Sequence, residues 1–161
     1  MKKATVNDSL EVSQPEGFRI MSHEELCQAY AFDYDCMWGM RDEERHVILA
    51  VFWKVSNKLV SSLASAKLVA EQAEKGLRRR YKKMGYHSDG LFETEVAGRK
   101  AWGFRYGHAP AGAAEQTCET VVVKDGTCCY TIMYHTRAEC AQENRALYEE
   151  ILASMQIRPK M

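Results

Sequence analysis

Apolar and polar positions alternate with a period of two through most of the second half of the chain. Residues 91–96 alternate as far as Ala97-Gly98, and 99–107 continue beyond it. Residues 117–124 and 127–135 flank Asp125-Gly126 in the same way. A Gly-containing dipeptide between two such runs is a hairpin signal, so two antiparallel hairpins are predicted. From about residue 137 the period lengthens to that of a helix, with Ala141, Leu147, Tyr148, Ile151, Leu152 and Met155 on one stripe. Thr136 and Glu139 have capping-box spacing and predict the start of that helix.

The first half reads less regularly. Leu10 and Val12 alternate in a short strand over 9–14 that stops at Pro15-Glu16-Gly17. Ser22 and Glu25 form another capping-box pattern, predicting a helix over 23–29. Residues 34–40 and 46–55 predict a third hairpin around a charged tip, Arg41 to Glu44. Its second arm is apolar on both faces and therefore needs cover above and below. The longest helix is predicted over 59–84, with Leu59, Leu63, Ala66, Ala70, Ala73, Leu77, Tyr81 and Met84 forming one stripe. Lys67, Glu71, Glu74, Lys75, Arg78 and Lys82 stand on the opposite side, and Gly85 is placed to end it. The order β-α-β-β-α-β-β-β-β-α predicts an α+β fold. Its expected form is an α/β/α sandwich, with a mainly antiparallel sheet covered by helices on both faces, in a single domain over 1–161.

This order, with Pro15-x-Gly17-Phe18 ahead of the first hairpin, resembles a known fold family. The runs VAGRKAWGFRY at 96–106, VVVKDGTCCYTI at 121–132 and ILASM at 151–155 carry the same likeness. The family is that of the photosystem II extrinsic protein PsbP and the Ran-binding Mog protein. The resemblance covers roughly residues 10–157 and rests on turns and core positions. It implies the fold, and it implies a role in binding other proteins without enzymatic activity. None of the matched positions is a catalytic or ligand residue, so no site residue is implied.

Lys plus Arg and Asp plus Glu are equal at 22 each, so the formal net charge is zero. Such a chain has no global attraction for nucleic acid or an anionic membrane. No stretch approaches the ~18 apolar residues of a membrane span. Met1-Lys2-Lys3 resembles the start of a signal peptide, but no apolar segment follows it. The six cysteines match neither a zinc ribbon nor a CxxC motif. With a two-residue turn at Asp125-Gly126, Cys118 would oppose Met133 and Cys128 would oppose Val123. Cys118 and Cys129 would then lie about 13 Å apart along the ladder, beyond disulfide reach. Cys128 and Cys129 would point to opposite faces. Six reduced thiols and no apolar leader segment predict a cytoplasmic protein.

Two surfaces are candidate binding sites. Trp102, Phe104 and Tyr106 share one strand face; they either anchor the sheet against a helix or line an apolar groove for a peptide, with residues 109–114 as its lip. Arg78, Arg79, Arg80, Lys82 and Lys83 form a basic run interleaved by Tyr81. It suits an acidic partner or a phosphate backbone, and it equally suits a helix C-terminus. The five histidines are scattered singly and predict no metal site, and neither a catalytic motif nor a cofactor-binding loop is present. The leading expectation is a non-enzymatic domain whose partner is another protein or peptide. The alternatives are a small hydrolase or metal-dependent enzyme using a Cys/His pair, and a secretion-chaperone-like adaptor.

Overall fold

A computed structural model describes residues 1–31 and 33–158; the end of the expected 1–161 domain, 159–161, lies outside the described residues. In chain order the strands and helices are β1 (Lys2–Thr5), β2 (Leu10–Gln14), β3 (Arg19–Ile20), α1 (His23–Tyr30), β4 (Met37–Asp42), β5 (Val47–Val55), α2 (Lys58–Leu63) and α3 (Ala66–Arg80). They continue with β6 (His87–Val96), β7 (Arg99–His108), β8 (Gln116–Asp125), β9 (Cys128–Arg137), α4 (Ala141–Ala153) and β10 (Gln156–Ile157). The fold is α+β, with two antiparallel sheets. Seven strands pair in the order β3-β4-β5-β9-β8-β7-β6, and β1, β2 and β10 form the second sheet with β2 central.

Alternation of side chains sorts the large sheet into two faces. Leu49, Val51, Val121, Val123, Ile132 and Tyr134 point to one, where they pack with Tyr148, Ile151 and Met155 of the α4 segment and with Leu10 and Val12 of β2. Ala50 and Phe52 point to the other, against Leu26 and Tyr30 of α1. Phe104, Tyr106 and Cys118 lie on that second face too, packed with Ala73 and Leu77 of α3 and with Tyr81 and Tyr86 beyond it. The doubly apolar strand expected at 46–55 is therefore β5, and it has its cover on both sides.

Local chemistry explains where the elements begin. Ser22 Oγ accepts from the Glu25 amide and the Glu25 carboxylate accepts from the Ser22 amide, so the expected capping box starts α1. Ala97 and Gly98 both have positive φ, at 53° and 75°, as a tight turn between right-twisted strands requires. Gly85, at φ 68°, closes the 3-10 turn Lys82–Met84 that follows α3.

Four expectations are corrected. The helix expected over 59–84 is two helices, because Ala64 is extended and Ser65 caps a new one, its Oγ accepting from the Leu68 amide at 3.1 Å. Thr136 does not cap α4. It is the penultimate residue of β9, and its hydroxyl accepts from Asn144 Nδ2 at 3.0 Å, so the helix begins only after a 3-10 turn at Ala138–Cys140. The third hairpin turns later than expected: Arg41 and Asp42 belong to β4, and Asp42 is buried, accepting from the Arg45 amide and paired with its guanidinium. In the last hairpin the turn residues are Gly126 and Thr127, so Cys118 faces His135 and Cys128 faces Asp125. Cys129 then opposes Lys124, six residues along from Cys118 and about 20 Å away. None of the six cysteines is joined in a disulfide among the described residues.

Candidate functional site

Helix α2 buries none of its side chains in the core. It is held to the sheet by polar bonds instead. Ser61 Oγ donates to the Gly126 carbonyl at 3.0 Å, and the Lys124 ammonium donates to the carbonyls of Ser61 and Ala64 at the helix's C-terminal end. Asn57 Oδ1 accepts from the Val60 amide and caps the other end. A helix fastened by its ends and its polar side leaves its apolar side outward. Leu59 is 71% exposed and Leu63 73% exposed, with Val55, Val60 and Leu68 also in solvent.

Beneath α2 lies a cleft of about 400 Å³, floored by Phe52, Cys129 and Thr131 of the sheet and walled by Val60, Ala64 and Val69. Tyr34 closes one side, its hydroxyl donating to the Trp53 carbonyl at 3.3 Å. The lining is mostly apolar, and the elements around it carry exposed Lys54, Lys58 and Lys67. Among the described residues none of these three lysines forms an ion pair. An apolar cleft edged by unpaired cations suits a ligand with apolar side chains and carboxylates.

The groove expected along Trp102, Phe104 and Tyr106 is not open. Phe104 and Tyr106 are buried under α3, and Lys67 reaches over the Trp102 ring at 4.9 Å. These three side chains anchor α3 to the sheet. The basic run is exposed throughout, but the structure divides it. Arg78 pairs with Glu74 at 3.0 Å and lies against the Tyr86 ring. Arg80 donates to the Tyr30 carbonyl at 3.1 Å and tethers the end of α3 to α1. Arg79, Lys82 and Lys83 have no ion-pair partner among the described residues. Two of five cations thus serve the packing of the helix end.

A second, narrower cleft of about 350 Å³ opens between α1 and the end of α3, lined by Tyr30, Ile48, Tyr81, His108, Gln116 and His135. The corrected register brings Cys118 Sγ to 3.2 Å from His135 Nδ1 at its base. Burial pushes the Cys118 thiol up to about 12 and pushes the His135 imidazole down to about 4. The pair is a neutral thiol beside a neutral ring, unlike the thiolate–imidazolium pairs of activated cysteines. His108 stacks on Tyr81 at 3.9 Å between ring centres, and burial, then Arg80, lowers its pKa too. The expected register, with Cys118 opposite Met133, does not make this contact. One further grouping, His23, Cys27 and Asp33, brings three potential metal-ligating atoms within 4.8 Å of one another.

With two antiparallel sheets and the strand order above, the chain has the PsbP-like fold. Solved structures that share it include cyanobacterial PsbP (CyanoP) from Synechocystis sp. PCC 6803, with TM-score 0.68 and 15% identity over 93% of this chain and 87% of that one. LpqN of Mycobacterium tuberculosis, described as involved in cell envelope biogenesis, superposes with TM-score 0.63 and 12% identity over 93% and 83%. A Pseudomonas aeruginosa protein of unknown function matches with TM-score 0.53 and 12% identity over 71% and 74%. No protein-family model and no curated protein sequence matches the chain. At these identities the likeness is one of fold. No helix among the described residues is long and apolar enough to cross a membrane.

Proposed function

We propose that the chain is a protein-binding domain whose α2 cleft takes an apolar, carboxylate-flanked segment of a partner protein. The observation that carries this reading is the exposure of Leu59 and Leu63 on a helix that contributes nothing to the core. Exposed leucines grouped beside an apolar cleft mark an interaction surface more often than scattered ones do. The exposed Lys54 and Lys58, which form no ion pair among the described residues, select the flanking chemistry. The adaptor role considered from the sequence is a special case of this reading, as is a cytoplasmic setting in which six cysteines stay out of disulfides. The layers described above are read as the expected α/β/α sandwich, with the small sheet completing the α4 side.

Panning a random peptide library against the purified domain tests the proposal. Enriched peptides should combine two or more large apolar residues with Asp or Glu, and fluorescence anisotropy should give their affinities. Leu59→Ser with Leu63→Ser should weaken binding at least about tenfold, the order expected when two anchor side chains are lost. The same exposed substitutions should change unfolding stability by no more than about 0.5 kcal/mol. Peptides without acidic residues, or binding indifferent to the two substitutions, would overturn the reading. So would a concentration-dependent dimer in sedimentation that Leu63→Ser dissolves, since the occupant would then be a second copy of the chain.

A second reading, hydrolysis through a Cys/His pair, is favoured by the Cys118–His135 contact alone. A broad esterase, amidase and thioesterase screen addresses it. Turnover abolished in both Cys118→Ala and His135→Asn would support it, and turnover unchanged in either would remove it.

A further inference from the structure

The residues His23 and Cys27 are four apart on α1, which puts both side chains on one face of the helix, one turn from each other. The chain returns past the end of α1 and brings Asp33 to the same place. His23 Nε2 stands 2.8 Å from Asp33 Oδ1, and Cys27 Sγ stands 3.7 Å from the same oxygen. Imidazole, thiol and carboxylate thus converge from a helix face and the segment after it. We propose that His23, Cys27 and Asp33 form a zinc site, with its fourth position open to water or to a donor from a partner.

The donor set selects the metal. One nitrogen, one sulfur and one oxygen are the ligands that borderline-soft Zn²⁺ takes, whereas Mg²⁺ and Ca²⁺ take oxygens and Cu(I) prefers more than one sulfur. Ligands about 2.0–2.3 Å from a tetrahedral zinc stand roughly 3.3–3.6 Å from one another. The sulfur–oxygen separation is already close to that. The nitrogen–oxygen separation has to widen by about 0.5 Å, exchanging a hydrogen bond for two metal bonds. Both side chains are free to do so, His23 being 52% and Asp33 79% exposed. The charges also match. A Cys27 thiolate and the Asp33 carboxylate together neutralise a divalent ion, with a neutral His23 as third ligand.

The remaining anchors are preorganised. Ser22 and Glu25 cap α1 immediately beside His23, and Leu26 and Tyr30, on the adjoining helix face, fix the helix to the sheet. Glu25 is held by Arg19 at 2.7 Å and takes no part. Binding the metal would therefore need only small side-chain shifts on a helix that is already in place.

Cobalt titration of the untagged, reduced protein is the decisive experiment, because a thiolate ligand gives Co²⁺ a near-ultraviolet charge-transfer band and tetrahedral geometry gives strong visible bands. Both should saturate at one equivalent and disappear on adding Zn²⁺. Cys27→Ser should abolish the near-ultraviolet band, and His23→Gln and Asp33→Asn should each weaken binding about tenfold or more. Cys36→Ser should leave both bands intact. Circular dichroism should show all four variants folded, since each substitution is close in size and only Cys27 packs against the edge of the core. Absence of the thiolate band at millimolar Co²⁺, its survival in Cys27→Ser, or its loss in Cys36→Ser would overturn the site.

Discussion

His135 shows how a single residue's surroundings set a property of the whole molecule. Its ring is held neutral by burial, its Nε2 has no hydrogen-bond partner among the described residues, and its pKa is pushed down to about 4. In the unfolded chain the ring titrates near 6.5, so below that pH the unfolded state binds a proton that the folded state refuses. Stability from this group is fully present above about pH 6.5 and is lost progressively as pH falls towards 4, by about 3 kcal/mol in all. His108, in the same cleft, is shifted in the same direction and adds to the slope. Urea unfolding of His135→Asn between these pH values should be flatter than that of the parent by about one proton. Parallel curves would show that His135 is free to charge in the folded state. Little of this was legible beforehand. The alternation of β9 showed that His135 shares a face with Cys118, but only the register, set one residue beyond the glycine signal, puts the two in contact. Trp102, Phe104 and Tyr106 were readable as one face; that α3 lies over it depends on packing between distant segments.

Among elements, the break between α2 and α3 matters most to the proposed binding surface. One continuous stripe from Leu59 to Met84 implied a single helix lying on the sheet, which would have buried Leu59 and Leu63. The periodicity is real on both sides of the break, and only Ser65 and the extended Ala64 interrupt it. The interruption is legible as a possible cap and loses to the longer pattern, because a serine inside a helix costs little by itself. Polar bonds to Lys124 and Gly126 decide the matter, and these partners lie some sixty positions away in sequence. Ser65→Ala should therefore cost about 1 kcal/mol of unfolding free energy, the usual worth of an N-cap. It should also weaken peptide binding in the α2 cleft, since Ala64 and Val69 on either side of the cap form its wall. A variant as stable as the parent would mean that the tether to the β8–β9 turn, and not the cap, separates the helices. The hairpins themselves were legible because their alternation extends over many residues, which a one-residue error in a turn leaves intact.

The molecule as a whole is closed by the pieces that sequence signals least. Helix α4 covers one face of the seven-stranded sheet, but its thirteen residues span only about 20 Å. The rest of that face is covered by β1, β2 and β10, where Leu10, Val12 and Ile157 join the same core. Strands of four and two residues, β1 and β10, are too short to show alternation, so only β2 was expected. Yet β10 pairs with β2 across nearly the full length of the chain, Ile157 opposite Leu10. The Arg158 amide donates to the Ser9 carbonyl at 2.8 Å, and its guanidinium pairs with Glu11 at 3.0 Å. Burying one isoleucine side chain contributes about 1.5–3 kcal/mol, whereas the half-exposed ion pair adds at most about 1. Ending the chain after Met155 should thus lower stability by about 2–3 kcal/mol, with Ile157→Ala reproducing most of the loss and Arg158→Ala little of it. Because β10 contributes no residue to the lining of the α2 cleft, both variants should still bind the α2-cleft peptides at temperatures where they remain folded. Equal losses from Ile157→Ala and Arg158→Ala would place the closure in the polar contacts rather than in the burial of Ile157 against Leu10.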